Sequence, residues 1–138
     1  MSIKTKYANE IFKGTKKYEY RRSSIGNKNC NKKIVIYSAG TDKAIIGYMI
    51  VDKILEGNLD YILTKTNNER NNDIKNYFNN AQKCYALHIK ETHKFSKTIT
   101  LSDLRKIDKN IILPQYYRYI KETEPLYKEL TMRLNESI

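Results

Sequence analysis

Seven consecutive residues, Lys16-Lys17-Tyr18-Glu19-Tyr20-Arg21-Arg22, hold four cations, two tyrosines and one carboxylate. Strand alternation sorts them into two faces, Lys17, Glu19 and Arg21 on one, Tyr18, Tyr20 and Arg22 on the other. Guanidinium groups grip phosphates as a bidentate fork, and aromatic rings stack on bases for about 1–3 kcal/mol each. Glu19 adds an acceptor for a base amino group. A plain structural alternative exists, in which Tyr18 and Tyr20 belong to the core and Glu19 balances Arg21. For the tyrosines the pattern leaves both open. For Lys16 and Arg21 it favours a contact role, because a loop-to-strand boundary after Gly14 exposes backbone and side chains together. A second cluster, Tyr116, Tyr117, Arg118 and Tyr119, reads either as a stacking platform or as a plug closing the fold, with Arg118 its functional member.

Other chemistries have little to stand on. His88 falls on a strand and reads as a structural residue; His93 reads as a loop residue. Cys30 and Cys84 have no metal-ligand spacing, and no carboxylate pair suits Mg²⁺. Walker, Rossmann, serine-triad and zinc signatures are missing. No metal and no cofactor are expected.

The elements that must position these residues follow from periodicity. Tyr7, Ala8, Ile11 and Phe12 fall at helical spacing and predict a helix over about Lys4–Lys13, with Gly14 as its C-cap. Strands are expected at Lys17–Arg22, Lys33–Tyr37, Ala44–Leu55 and Lys83–Lys90. Gly47 inside the third marks a bulge or corner. Leu59–Thr66 and Asp73–Asn80 look helical, with an Asn-rich loop between them. Ser102 is expected to cap a turn at Asp103–Ile107. Thr123 should cap a last helix running to about Leu134, with Pro125 in its first turn and Leu126, Leu130 and Leu134 as its stripe. Short strands with glycine-marked corners, and too few helices for alternating units, argue for an α+β fold: a small barrel of about five to six strands with peripheral helices. No linker or repeat divides residues 1–138, which read as a single domain.

Charge separates the function classes. The 138 residues carry a net charge of +11. Residues 1–34 hold ten Lys and Arg against two Glu, a balance of +8; the other 104 hold sixteen against thirteen, or +3. Clustered positive charge attracts phosphate backbones. A membrane partner is not expected, because no basic helix has a large apolar face behind it and no apolar run approaches a span. With no leader-like segment and two free thiols, a cytoplasmic residence is expected.

Three segments carry a family resemblance. Ser2 to Ala8 with Ile11 to Arg22 includes the run Gly14-x-Lys16-x-x-Glu19-x-Arg21. Val35-Ile36-Tyr37-Ser38 is followed by Ile45-Ile46-Gly47. Leu113-Pro114-Gln115-Tyr116-Tyr117-Arg118-Tyr119 closes the set. In this order they resemble the ASCH domain family of the PUA-like superfamily of small β-barrels. Many relatives have Pro in the loop Ser38–Lys43, where this chain has Thr41. The resemblance implies a cleft lined by the Gly-x-Lys-x-x-Glu strand start and the Tyr-Ser loop, which carries over to Lys16, Glu19, Arg21, Tyr37 and Ser38. Some relatives are amidohydrolases using Lys, Thr and Glu. Lys16 matches the first of these, Glu19 stands where the Thr would be, and Glu69 lies near the last. Others are linked to RNA cleavage.

Two functions fit. The first is a nucleic-acid-binding module, RNA ahead of DNA or a modified nucleotide, contacting its ligand through Lys16, Lys17, Glu19, Tyr20, Arg21, Arg22, Tyr37, Ser38, Lys43 and Arg118. The second is a small hydrolase on RNA or a modified nucleoside, of ribonuclease or amidohydrolase type, with Lys16 and Glu19 as catalytic residues. A protein partner for the cationic face is a weaker third.

Overall fold

A computed structural model describes residues 1–114 and 117–136. In chain order it contains β1 (Ser2–Lys4), α1 (Thr5–Lys13), β2 (Tyr18–Arg21), a 3₁₀ turn (Asn27–Asn29), β3 (Lys33–Ala39), β4 (Ala44–Gly57), α2 (Leu59–Lys65), α3 (Asn72–Tyr77), β5 (Cys84–Thr100), α4 (Leu101–Ile107) and α5 (Pro125–Glu136). The five strands form one mixed sheet in the order β1-β3-β4-β5-β2. β1 runs parallel to β3, with Ser2 opposite Tyr37. β2 runs antiparallel to β5, with Tyr18 opposite His88 and Arg21 opposite Tyr85. The fold class is therefore α+β with the expected number of strands. The barrel is a different matter: β1 and β2 lie at the two ends of the order, and among the described residues no pairing joins them.

The chain divides into two compact units. One comprises residues 1–15, 33–49 and 92–138; the other comprises residues 16–32 and 50–91. The long strands β4 and β5 contribute a segment to each.

In the first unit, α1 forms where the apolar spacing placed it, burying Ala8 and Ile11. Gly14 ends it at φ 80°, and its N–H bonds the Ile11 carbonyl at 3.1 Å. A left-handed residue satisfying a last-turn carbonyl is what glycine does at a helix end. β1 has no counterpart in the sequence reading; three residues make no period, and only pairing with β3 defines it. β5 runs on to Thr100, ten residues past the expected end, because Phe95 and Ile99 are buried four apart on one strand side. His93 is thus a strand residue, not a loop residue, with its ring stacked on Tyr48 at 5.3 Å. The α4 cap is Thr100 rather than Ser102. The Thr100 hydroxyl accepts from the Asp103 N–H, and the Asp103 carboxylate accepts from the Thr100 N–H, a full capping box. α5 starts at Pro125, so Glu124, not Thr123, directly precedes it. Leu126 and Leu130 are buried, and α5 packs on α4.

In the second unit, Ile62, Phe78, Cys84 and Ala86 form a buried cluster. Tyr18, Tyr20, Leu55, Leu59, Ile74 and Ala81 pack around it half-buried. Asparagines cap both helices: Asn58, before α2, and Asn71, in the Asn-rich stretch before α3, accept from Tyr61 N–H and Ile74 N–H at 2.8 and 3.0 Å.

Gly47, in the first unit, stands where the backbone approaches closely. A Cβ there would collide with the His93 carbonyl oxygen and stand 3.0 Å from Lys94 Cα, both backbone atoms that cannot swing away. Gly47→Ala should therefore cost about 2–3 kcal/mol, a fall in Tm on the order of 10 °C. Thermal denaturation followed by circular dichroism measures it, and an unchanged Tm would remove the close-approach account.

Candidate functional site

The second unit begins with Lys16, three residues before β2 presents Glu19. Alternation puts Glu19 and Arg21 on the same side of β2, and both are buried at 6 % exposure. Arg21 Nη2 donates to Glu19 Oε2 at 2.8 Å, and Lys16 Nζ lies 3.1 Å from Glu19 Oε1. The two carboxylate oxygens are thus shared between two cations. Lys16 keeps 14 % of its side chain exposed, and its ammonium sits 5.0 Å from the Tyr20 ring centre. The Tyr20 hydroxyl accepts from Asn68 Nδ2 at 2.8 Å; that nitrogen also donates to the Thr66 carbonyl at 2.9 Å, which fixes the amide orientation. Burial raises the Tyr20 hydroxyl above its ordinary pKa, partly offset by hydrogen bonds from Thr66 and Asn68. Beside Asn68, residues 67–71 line an open cleft of about 610 Å³ that includes Glu69 and Arg70, both exposed. Lys17 and Arg22 are exposed as well, and Arg22 Nη1 donates to the Tyr77 carbonyl at 3.1 Å.

A second polar pair in this unit joins two strands. His88 Nδ1 is 2.7 Å from Asp52 Oδ1, and the Tyr18 ring meets the imidazole edge-on at 5.1 Å. The hydrogen bond to His88 holds the Asp52 carboxyl below its ordinary pKa.

The first unit has its own polar knot. Ser38, fully buried, donates to Asp42 Oδ2 at 2.9 Å and shares a 2.9 Å hydrogen bond with Thr5 Oγ1. Thr5 Oγ1 also accepts from the Asp42 N–H at 3.3 Å. The network ties the start of α1 to the β3–β4 turn, where Lys43 is exposed at φ 47° and its carbonyl accepts from the Leu101 N–H at 2.8 Å. Tyr37 is buried, which raises its hydroxyl pKa, and the Arg105 charge opposes the rise. Arg118 is engaged: Nη1 bonds both Glu124 oxygens at 2.8 and 3.1 Å, and Nε donates to the Ile112 carbonyl at 3.0 Å. The Lys121 N–H and then Arg118 hold the Glu124 carboxyl below its ordinary pKa. Tyr117 and Tyr119 meet edge-on at 6.2 Å; Tyr116 and Gln115 lie outside the described residues.

Comparison with known proteins decides the family. The family model described as "ASCH domain" matches residues 1–127. The chain belongs to the ASCH domain family. A relative from Zymomonas mobilis named "ASCH domain-containing ribonuclease" is 24 % identical over 127 residues, covering 90 % of this chain and 84 % of the relative. The crystal structure of ASCH from Zymomonas mobilis has a TM-score of 0.80 and 23 % identity, covering 99 % of this chain and 92 % of that one. A Tyr-to-Phe variant of the Zymomonas mobilis protein has a TM-score of 0.80 and 21 % identity, covering 96 % and 95 %. These likenesses show that the fold is shared.

Within this ASCH chain, the structure brings Lys16, Glu19, Tyr20 and Arg21 together in one unit, with Lys17 and Arg22 exposed beside them in sequence. Ser38 meets Thr5 and Asp42 in the other unit, which also holds Tyr37, Lys43 and Arg118. Sequence reasoning missed the Asp52–His88 pair. One signal was present: Asp52 is the lone acid in the apolar run Ala44–Leu55. Asn68 had no such signal, because its partner Tyr20 lies 48 residues away.

Removing one member of a buried charge cluster leaves the others uncompensated, at roughly 3–5 kcal/mol. Glu19→Gln is therefore expected to lose that much stability in urea denaturation. The double variant Glu19→Leu with Arg21→Met should lie closer to wild type, since it removes the buried charges together. A Glu19→Gln midpoint equal to wild type would deny the cluster any structural role.

Proposed function

We propose that this ASCH protein binds RNA, and that the bound RNA is cleaved. The observation that carries the binding reading is Lys16: an ammonium pinned by Glu19 and the Tyr20 ring, yet still open to solvent, inside a segment with a balance of +8. A cation held in place before the ligand arrives costs less ordering when it binds. Exposed Lys17, Arg22, Lys28 and Lys32 in the same unit supply further phosphate contacts. Tyr20, half-buried and bonded to Asn68, is a base-stacking candidate on its remaining open surface. Lys43, exposed in the other unit, is a separate candidate for a phosphate contact.

Arg21 takes a different role from the one its sequence position implied. Its guanidinium is buried on Glu19, so it orients the carboxylate that orients Lys16, rather than gripping a phosphate itself. Arg118, spent on Glu124, likewise shapes the segment around it.

Cleavage is supported by a separate observation: the Zymomonas mobilis relative aligned over 90 % of the chain bears the name ribonuclease. That name also favours RNA over DNA. Free Cys30 and Cys84 fit residence in the cytoplasm.

Binding of a single-stranded RNA oligonucleotide, followed by fluorescence anisotropy, should weaken linearly in log Kd against log salt. Lys16→Ala with Lys17→Ala should flatten that slope by about 1.4, at roughly 0.7 per single-strand phosphate contact. Arg21 is left intact in this test because its loss would reach the fold. An unchanged slope, or equal affinity for a DNA strand of the same sequence, would overturn the reading.

A further inference from the structure

We propose that His88 is the general base of RNA cleavage, with Asp52 as its positioning residue. The inference rests on the ribonuclease reading above and names a centre in the same unit as Lys16, Glu19 and Arg21.

The geometry comes from three strands. His88 lies in the middle of β5, Asp52 on its sheet neighbour β4, and Tyr18 opposite His88 on its other neighbour, β2. The 2.7 Å contact between Nδ1 and Asp52 Oδ1 is short for a nitrogen–oxygen hydrogen bond. An ionised carboxylate can only accept, so the proton of neutral His88 sits on Nδ1 and Nε2 is left as the basic nitrogen. The Tyr18 ring edge limits rotation of the imidazole from the β2 side. A base oriented by a carboxylate on its far nitrogen is the arrangement shared by many imidazole-dependent enzymes.

The pair is also placed where a substrate can reach it. His88 and Asp52 keep 30 % and 34 % of their side chains exposed. A polar pair that open contributes little to stability, so the fold has small need of it. Lys90, exposed, lies two residues after His88 on the same side of β5 and brings phosphate-attracting charge to the imidazole's side of the strand. His93, the other histidine, is stacked on Tyr48 and has no carboxylate partner among the contacts described.

The step balances without a further reagent. His88 Nε2 takes the proton of a ribose 2′-hydroxyl. The 2′-oxygen forms a bond to the adjacent phosphorus, and the bond from phosphorus to the 5′-oxygen breaks. The leaving 5′-oxygen gains a proton from water, and the imidazolium returns one to water. The products are a 2′,3′-cyclic phosphate and a 5′-hydroxyl.

The test uses the full chain and a single-stranded RNA oligonucleotide, with kcat, KM and product ends measured. His88→Gln should lower kcat by at least about 100-fold, the usual scale of a positioned base, with KM within twofold. Asp52→Asn should lower kcat about tenfold and change the shape of the pH–rate profile, which a purely structural residue would not do. Added imidazole should restore part of the activity of folded His88→Ala, and an oligonucleotide with 2′-deoxyribose at the cleaved position should resist. His93→Gln serves as the control and should keep wild-type kcat. Wild-type kcat in His88→Gln, no imidazole rescue of folded His88→Ala, or products ending in 5′-phosphate would overturn the assignment while leaving the ribonuclease reading in place. A wild-type protein that binds RNA and leaves it intact would overturn both.

Discussion

A carboxylate shared by two cations governs the second unit. Glu19 and Arg21 are both buried, and neither tolerates that environment alone. Taking a carboxylate out of water costs several kcal/mol even after relaxation, so Glu19 is stable there only while both of its oxygens are engaged. That demand fixes β2 in register, because a one-residue slip would send Glu19 and Arg21 to the opposite face and bring Tyr18 and Tyr20 into their place. The tyrosines face a complementary constraint. They pack around Ile62, Phe78, Cys84 and Ala86, where a charged residue would be left without a partner. One four-residue strand thus carries two incompatible faces, and each excludes the other's register.

This resolves the ambiguity that the seven-residue run left open. Tyr18 and Tyr20 are neither wholly core nor free contact residues. Each lays its ring against the buried cluster, and each keeps a polar or basic neighbour: His88 beside Tyr18, Asn68 and Lys16 beside Tyr20. Alternation could assign the faces, because that depends only on the strand period. It could not say which face was buried, because Ile62 comes from α2 and Phe78 from the C-cap of α3, about forty to sixty residues further on.

The same division runs through the whole chain. α1 and its Gly14 cap were legible because an apolar 3.6-residue period and a left-handed terminator are both local. β2, β3 and β4 were legible from alternation and β-branched runs. β1 was not, since three residues acquire strand geometry only from β3. The C-terminal half of β5 was hidden because Thr92–Thr100 interleaves Lys and Ser with widely spaced apolar residues, and its pattern becomes visible only once Phe95 and Ile99 are seen buried. Ser102 looked like a cap by residue type, yet Thr100 takes the role because Asp103 stands three residues after it and completes the reciprocal pair. The site divides likewise. Lys16, Glu19 and Arg21 lie within six residues and could be grouped from spacing. Asp52 and His88 are 36 residues apart, on neighbouring strands, and no local pattern joins them.

Positive charge in this protein works at two depths, and the depth decides the role. A buried guanidinium such as Arg21 cannot exchange water for a phosphate without giving up Glu19, and that exchange would expose the carboxylate to the incoming anion. An exposed lysine such as Lys17 gives up only water and a loosely held counterion when phosphate binds, which is the source of salt-dependent affinity. Lys16 lies between these cases. Its position is set by Glu19 and the Tyr20 ring, so its freedom is already spent, while its partial exposure leaves a route to solvent. A count of basic residues therefore overstates the exposed cationic surface. The run from Lys16 to Arg22 contains four cations, but one of them builds the platform, one is steadied by it, and two remain at the surface.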